Sequence, residues 1–250
     1  MDGFLLGSGG WIPTTKRQTC CALVREDEHA LLIDAGTGLQ RLIERPDLLD
    51  GIEVVDIVLT HFHLDHVVGL SYVPALPLPG PPRIWGSGQV LAGTPTRAIL
   101  DRLLGAPLFS APLTVVASAV HELRQPMFEV GPFRITTRVQ ESHAEPTLAL
   151  RIGDSLTYCT DTAPDPGNVA FATGSRTLLH EAWYADHTSV DGNHSAGGDA
   201  GRIARDSEVE RLILIHVNPL LTSDESLAAS AATEFENTDV GCDLAPIPLL

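Results

Sequence analysis

Residues 60–70 read THFHLDHVVGL, placing His61, His63, Asp65 and His66 within six consecutive positions, directly after the apolar run VVDIVL of residues 54–59. Short and β-branched, that run reads as a buried strand, so the cluster begins where a strand gives way to a loop. From an extended segment His61 and His63, two residues apart, point to one side, while Asp65 and His66 turn toward a second position. A solvated loop that happens to be histidine-rich is the plain alternative. A structural zinc site would favour cysteine thiolates, and none lies nearby. Imidazole and carboxylate ligands suit a catalytic metal site that keeps room for water.

Outward from the cluster, the chain has 250 residues, 44% hydrophobic and 19% charged, with a mean hydropathy of +0.10. That is enough chain to bury a substantial core, and a single domain over residues 1–250 is expected. No apolar run approaches the roughly 18 residues of a membrane span. The start, MDGFLLGSGGWIP, lacks a basic leader segment, so a cytoplasmic protein without a membrane partner is expected. Cys20, Cys21, Cys159 and Cys242 form no C-x-x-C pair and read as small buried apolar residues. The net charge of −16, from 32 acidic and 16 basic residues, argues against a grip on long nucleic acid, which requires basic surface.

Strand-like and turn-like segments alternate along the N-terminal part. Residues 4–6, 19–25 and 29–36 read as a meander, and residues 39–45 as a helix stopped by Pro46. The proline-rich residues 74–82 (PALPLPGPP) read as loop, 83–87 as strand and 94–104 as helix. Strands are expected at 114–117, 133–139, 148–152 and 156–159. A second series follows: strand 177–182, helix 196–205, strand 212–217 and helix 223–235, the last opened by a capping box of Thr222 with Glu225. A short strand near residues 244–249 closes the chain. Strand-rich blocks with helices between them, twice over, imply two helix-covered sheets in one layered α/β domain.

The pattern T-H-x-H-x-D-H-x-x-G-L after an apolar strand resembles the signature of the metallo-β-lactamase superfamily. The resemblance implies an αββα four-layer sandwich with two metals at the edge of its two sheets. Later positions have candidates in the implied order: His143 between two strands, Asp161 in YCTDTAP and His216 in LILIHVNP. Asp34 in LLIDAGTG matches an early aspartate that supports the site without binding metal. By this resemblance His61, His63 and His143 hold one metal, Asp65, His66 and His216 the other, and Asp161 bridges them. Two Zn2+ ions are expected, with manganese or iron also compatible with these ligands.

Three further stretches narrow the reading. HEAWY (residues 180–184), HSAGGDAGRIA from His194, and LGSGGWIPTTKRQTCCALV (residues 6–24) resemble segments of the tRNA 3′-processing endonuclease RNase Z and its phosphodiesterase relatives. The resemblance implies that His194, oriented by Glu181, donates a proton to the leaving oxygen. Asp65 would handle the proton of the attacking water as well as binding metal, and His180 would be structural. In the plain alternative Glu181 is a surface carboxylate and His194 caps the following helix.

Fewer than about twenty residues separate His143 from Asp161, room for two strands and a turn but not for the Gly- and Lys-rich exosite arm of the tRNA enzymes. With the negative charge, this points to small phosphodiesters such as cyclic nucleotides or cyclic sugar phosphates, although Lys16, Arg17 and Arg41 could gather into a basic patch. An armless tRNA endonuclease and an arylsulfatase are the alternatives. A non-catalytic metal-binding protein is a reading from another class. Redox members of the superfamily carry a glutamate in the histidine motif and a flavin domain, and this chain has neither. A homodimer is expected, because members of the resembled group commonly form one.

Overall fold

The computed structural model describes residues 1–186, 192–221 and 223–249. The first sheet sets side by side β1 (Asp2–Gly7), β2 (Cys21–Glu26), β3 (His29–Ile33), β4 (Val54–Val58), β5 (Arg83–Gly86) and β6 (Ala119–Glu122). The second runs β7 (Met127–Val130), β8 (Phe133–Gln140), β9 (Thr147–Ile152), β10 (Leu156–Cys159), β11 (Thr177–Glu181), β12 (Arg211–Ile215) and β13 (Thr238–Val240). The closing strand β14 (Pro246–Ile247) returns to pair with β1. Each sheet begins as an antiparallel meander and becomes parallel, from β3 onward in one and from β10 onward in the other.

Alternating side chains explain how the sheets stack. Leu5, Val24, Leu31, Ile33, Ile213 and Ile215 point into a core shared by both sheets. Their neighbours Leu6, Leu23 and Leu32 pack outward against Leu42 of α1 (Arg41–Glu44), Val67 of α2 (Leu64–Val67) and Leu100 of the outer helix Thr96–Leu103. On the far side Leu178, Leu212 and Leu214 meet three helices, Gly167–Ala172, Gly197–Asp206 and Asp224–Ala232. Strands buried on both faces read as unbroken apolar runs, as LLI and LILI do here. Each such side chain removed from water contributes about 1.5–3 kcal/mol. The four layers are therefore helix, sheet, sheet, helix, the αββα arrangement expected.

Several boundaries differ from the sequence reading. Residues 114–117, three of them β-branched, are not a strand. Pro112 leads into a 3-10 turn, Leu113–Val115, in which the amides of Val116 and Ala117 both bond back to Leu113. The strand starts later, where Ala119 pairs with Arg83 in parallel register. Pro74 and Ala75 end a 3-10 segment, Val68–Ala75, so the irregular loop begins at Leu76. The expected helix at 39–45 is a 3-10 turn, Thr37–Gln40, continued by α1. Thr222, expected to cap the helix Asp224–Ala232, lies outside the described residues, and the Ser223 side chain accepts from the Ser226 amide instead. Among the described residues no helix is long and apolar enough to cross a membrane.

Candidate metal centre

The carboxyl ends of parallel strands from both sheets open on one edge, where α/β folds place their ligands. Three residues there, Asp34 after β3, Asp161 after β10 and His216 after β12, have positive φ of 60°, 48° and 50°. Left-handed backbone is unusual for such residues. It turns the chain sharply at each strand end.

Asp34 is fully buried and organises the cluster after β4. Its carboxylate accepts from the Thr60 amide at 2.8 Å and the Thr60 hydroxyl at 2.9 Å, and lies 2.8 Å from His66 Nδ1. The His66 Nδ1 proton is thereby committed to Asp34, which leaves Nε2 facing Asp161 Oδ2 at 3.1 Å. Thr60 gives its only hydroxyl proton to Asp34, so its oxygen accepts from His61 Nδ1 at 3.1 Å. His61 Nε2 then faces Asp161 Oδ1 at 3.8 Å. A Cβ on Gly69 would stand 2.1 Å from the Gly36 carbonyl, so the glycine of the histidine motif lets this loop lie against the one after Asp34.

The second sheet supplies the opposing groups. His143, in the turn between β8 and β9, donates Nδ1 to the Asn193 carbonyl at 2.9 Å and turns Nε2 toward Asp161 at 3.8 Å. Its ring lies 5.4 Å from that of His63. His216 Nε2 is 3.3 Å from both Asp65 and Asp161, and Asp65 Oδ2 also accepts from the Trp11 amide at 2.7 Å. All seven expected positions, His61, His63, Asp65, His66, His143, Asp161 and His216, thus meet around the Asp161 carboxylate.

Charges at this edge are strongly coupled. Burial opposes ionisation of Asp161, but His216, His66 and His61 outweigh it and hold the carboxyl well below its usual range. Burial keeps His61 neutral, its pKa pushed well down. For His66 and His216 burial is overcome by Asp161, and both are raised well above the ordinary imidazole value. Neutral His61 has its Nε2 buried without a hydrogen-bond partner, a costly arrangement unless a cation takes its lone pair. Imidazoles with two converging carboxylates fit a divalent metal, which displaces ligand protons when it binds.

Glu181, at the end of β11, is completely buried rather than on the surface. Its Oε1 accepts from the Thr162 amide at 3.0 Å and the Ser195 amide at 2.9 Å. Its Oε2 lies 2.8 Å from His194 Nδ1. His194 does not cap the following helix, where the Ala196 amide bonds to Asp199 at 3.0 Å. Burial lowers the His194 pKa, and Glu181 more than compensates, so the net shift is upward. The His194 ring sits 4.9 Å from His143 and 5.6 Å from His216, beside the centre. His180 is buried with Nδ1 on the Glu181 carbonyl at 2.8 Å.

Several contributors carry no local sequence signal. Gly10 reads as part of a turn, yet a Cβ there would stand 2.5 Å from the His216 ring. Trp183 stacks on His194 at 4.7 Å. Gln140 donates to the Thr160 carbonyl at 2.9 Å and to the Thr147 hydroxyl at 2.8 Å, and Thr147 donates to the Asp161 carbonyl at 3.1 Å. Of the three residues of the expected basic patch, both arginines are paired with carboxylates. Arg17 pairs with Asp224 at 3.1 Å, and Arg41 with Glu44 at 2.7 Å and Asp243 at 3.0 Å.

A family model described as Beta-lactamase superfamily domain matches residues 29–217. Ribonuclease Z of Clostridium acetobutylicum is 27% identical, covering 97% of this chain and 96% of its own length. Its alignment runs to 302 positions against 250 residues here, so that relative carries at least 52 residues without a counterpart in this chain. The metallo-beta-lactamase fold protein YhfI from Bacillus subtilis superposes with a TM-score of 0.79 at 20% identity, covering 98% of each chain. A diphosphatase of the PhnP family gives a TM-score of 0.73 at 17% identity, covering 100% of this chain and 99% of its own. At those identities the two structures establish a shared fold.

Proposed function

The chain belongs to the beta-lactamase superfamily and is a metal-dependent hydrolase, and from that premise we propose that it cleaves small phosphodiesters such as cyclic nucleotides at a dinuclear zinc centre. The observation that carries the reading is the buried Glu181 holding His194 Nδ1 at 2.8 Å beside the candidate ligands. A phosphodiester expels an alkoxide, which needs a proton as the bond breaks. His194 with Nδ1 fixed on Glu181 presents Nε2 to that oxygen, and the raised pKa keeps the proton available. Asp65, with one oxygen held by the Trp11 amide, takes the proton of the attacking water. Two divalent metals, held by His61, His63, Asp65, His66, His143, Asp161 and His216, would stabilise charge on the phosphoryl oxygens and acidify that water.

The short β9–β10 hairpin between His143 and Asp161, and the pairing of Arg17 and Arg41 with acidic side chains, favour a small substrate over tRNA. Resemblance to curated Ribonuclease Z proteins favours tRNA 3′ processing as the second reading, and an arylsulfatase remains a third. A single domain over residues 1–250, a homodimer and a cytoplasmic location complete the proposal.

Hydrolysis of bis(p-nitrophenyl) phosphate by zinc-loaded protein tests it, with chelated protein, the phosphomonoester, the aryl sulfate and precursor tRNA as comparisons. Metal-dependent turnover that favours the small diester supports the proposal. Efficient cleavage of precursor tRNA, or preference for the sulfate, replaces it with the corresponding alternative. An inactive but folded His61→Ala protein would count against a merely metal-binding role.

A further inference from the structure

On the side of the centre formed by His61 and His63, the surface opens into a cavity of about 310 Å³. Phe62, Leu91, Ala92 and Pro146 line it, with Glu145 at the side. Two of its walls are imidazoles of the candidate metal centre, so an occupant is attached to the group that reacts there. The other walls offer a ring, two aliphatic side chains and a proline, none of which forms a side-chain hydrogen bond. The only charged side chain, Glu145, is exposed and negative. A second phosphate seated there would meet repulsion from it, and no lysine or arginine lines the alcove. The volume is at the lower end of ligand pockets, ~300–1,000 Å³, room for one ring system rather than a run of nucleotides.

The wall is also held in place before anything binds. Leu91 and Ala92 belong to the short helix Gly88–Ala92. The Glu122 carboxylate at the end of β6 accepts from the Gln89 amide at 2.7 Å and from the Thr96 amide at 2.6 Å. One side chain therefore fixes the start of that helix and of the next. The Thr96 hydroxyl accepts from the Gly88 amide at 2.9 Å. A preformed apolar wall spares the ordering cost that a mobile loop would incur on binding.

Building on the phosphodiesterase reading, we infer that this alcove seats one uncharged, planar organic substituent of the ester, an aryl or nucleobase-sized ring. The preferred substrate is then a small diester bearing a ring next to a single reacting phosphate. Polyphosphorylated or oligonucleotide esters are disfavoured by Glu145 and by the alcove's size.

Calorimetric binding of phenylphosphonate and methylphosphonate to zinc-loaded protein tests this without turnover, since the two share an anionic head and differ only in the ring. Phenylphosphonate is expected to bind about tenfold tighter, the effect of burying most of one ring. Leu91→Ala is expected to reduce that ratio below about threefold. Glu145→Lys, at an exposed position where folding is not at stake, is expected to raise affinity for 4-carboxyphenylphosphonate relative to phenylphosphonate by about fivefold, as a repulsion becomes an attraction. Equal affinities for the two simple phosphonates in the unaltered protein would overturn the inference, whatever the enzyme cleaves. A retained ring preference with no diester turnover would overturn the phosphodiesterase reading and leave the alcove as the ring site for another ester.

Discussion

From the first sheet, four of the seven candidate ligands arrive on one six-residue stretch after β4, two of them, His66 directly and His61 through Thr60, steadied by the buried carboxylate of Asp34. From the second sheet, His143, Asp161, Glu181 and His216 come from four separate strand ends, brought level by the parallel pairing of β10, β11 and β12. One half of the centre is a local device and the other is a product of register. A lesion in the first should disable ligands together, whereas a lesion in the second should act through the one residue altered.

The sharpest break of that contrast is Asp161→Asn, because Asp161 faces two candidate ligands from each half, His61 and His66 from the first and His143 and His216 from the second. Losing its charge removes the carboxylate on which four buried imidazoles converge, a cost of up to about 3–5 kcal/mol. Metal affinity in a chelator competition should fall by about 10³-fold, with the fold retained by circular dichroism. A loss below tenfold would show that the two halves bind metal independently.

Glu181→Gln probes the second sheet without replacing a candidate ligand, although Glu181 Oε2 lies 3.5 Å from His216 Nδ1 as well as on His194. Its kcat on a small diester should fall by about 10²-fold, while metal content stays near that of the unaltered protein. The sign of the pH effect follows from the raised pKa of His194. Raised by Glu181, the imidazolium persists to higher pH and loses its proton as pH climbs through the folded-state pKa. Without the carboxylate that pKa drops, so the alkaline limb of the kcat profile should move to lower pH. An unmoved limb would remove His194 from the proton-donor role.

Asp34→Asn tests the local device. Groups that orient a ligand typically contribute 10–100-fold in metal affinity, and this one orients His66 directly and His61 through Thr60. Titration should show the site served by His66 weakened most. Gln140→Leu should have the smallest effect. It breaks the tie between β8 and the strand end bearing Asp161, with a loss of about 1–3 kcal/mol in unfolding free energy and less than tenfold in metal affinity. A larger loss of affinity than Asp34→Asn would invert the ranking of the two halves.

Much of this was legible beforehand for reasons tied to particular residues. The strand runs at residues 30–33 and 212–215 are apolar throughout because both faces of each sheet are covered. His61, His63, Asp65 and His66 stand close in sequence, so their shared chemistry needed no tertiary knowledge. Less legible was the wall of the alcove, a helix of five residues, Gly88–Ala92, too short to show a period and held by Glu122 from thirty-odd positions away. The strand expected at residues 114–117 failed because β-branched propensity is weak against a preceding proline and a locally closed turn.

By itself the sequence determined the types and order of the candidate ligands and the alternation that builds two covered sheets, since these depend on residue identity and short-range spacing. Only the tertiary structure decided which nitrogen of each histidine faces the centre, through His66 on Asp34, His61 on Thr60 and His143 on Asn193. It also decided that Glu181 is buried, that the arginines are neutralised, and that an apolar alcove adjoins His61 and His63. Orientation and burial come from contacts between residues far apart in the chain, such as the Trp11 amide on Asp65 and the Tyr158 hydroxyl on Asp34. Such contacts leave no local pattern in the sequence, because they exist only once distant strands have paired and the sheets have stacked.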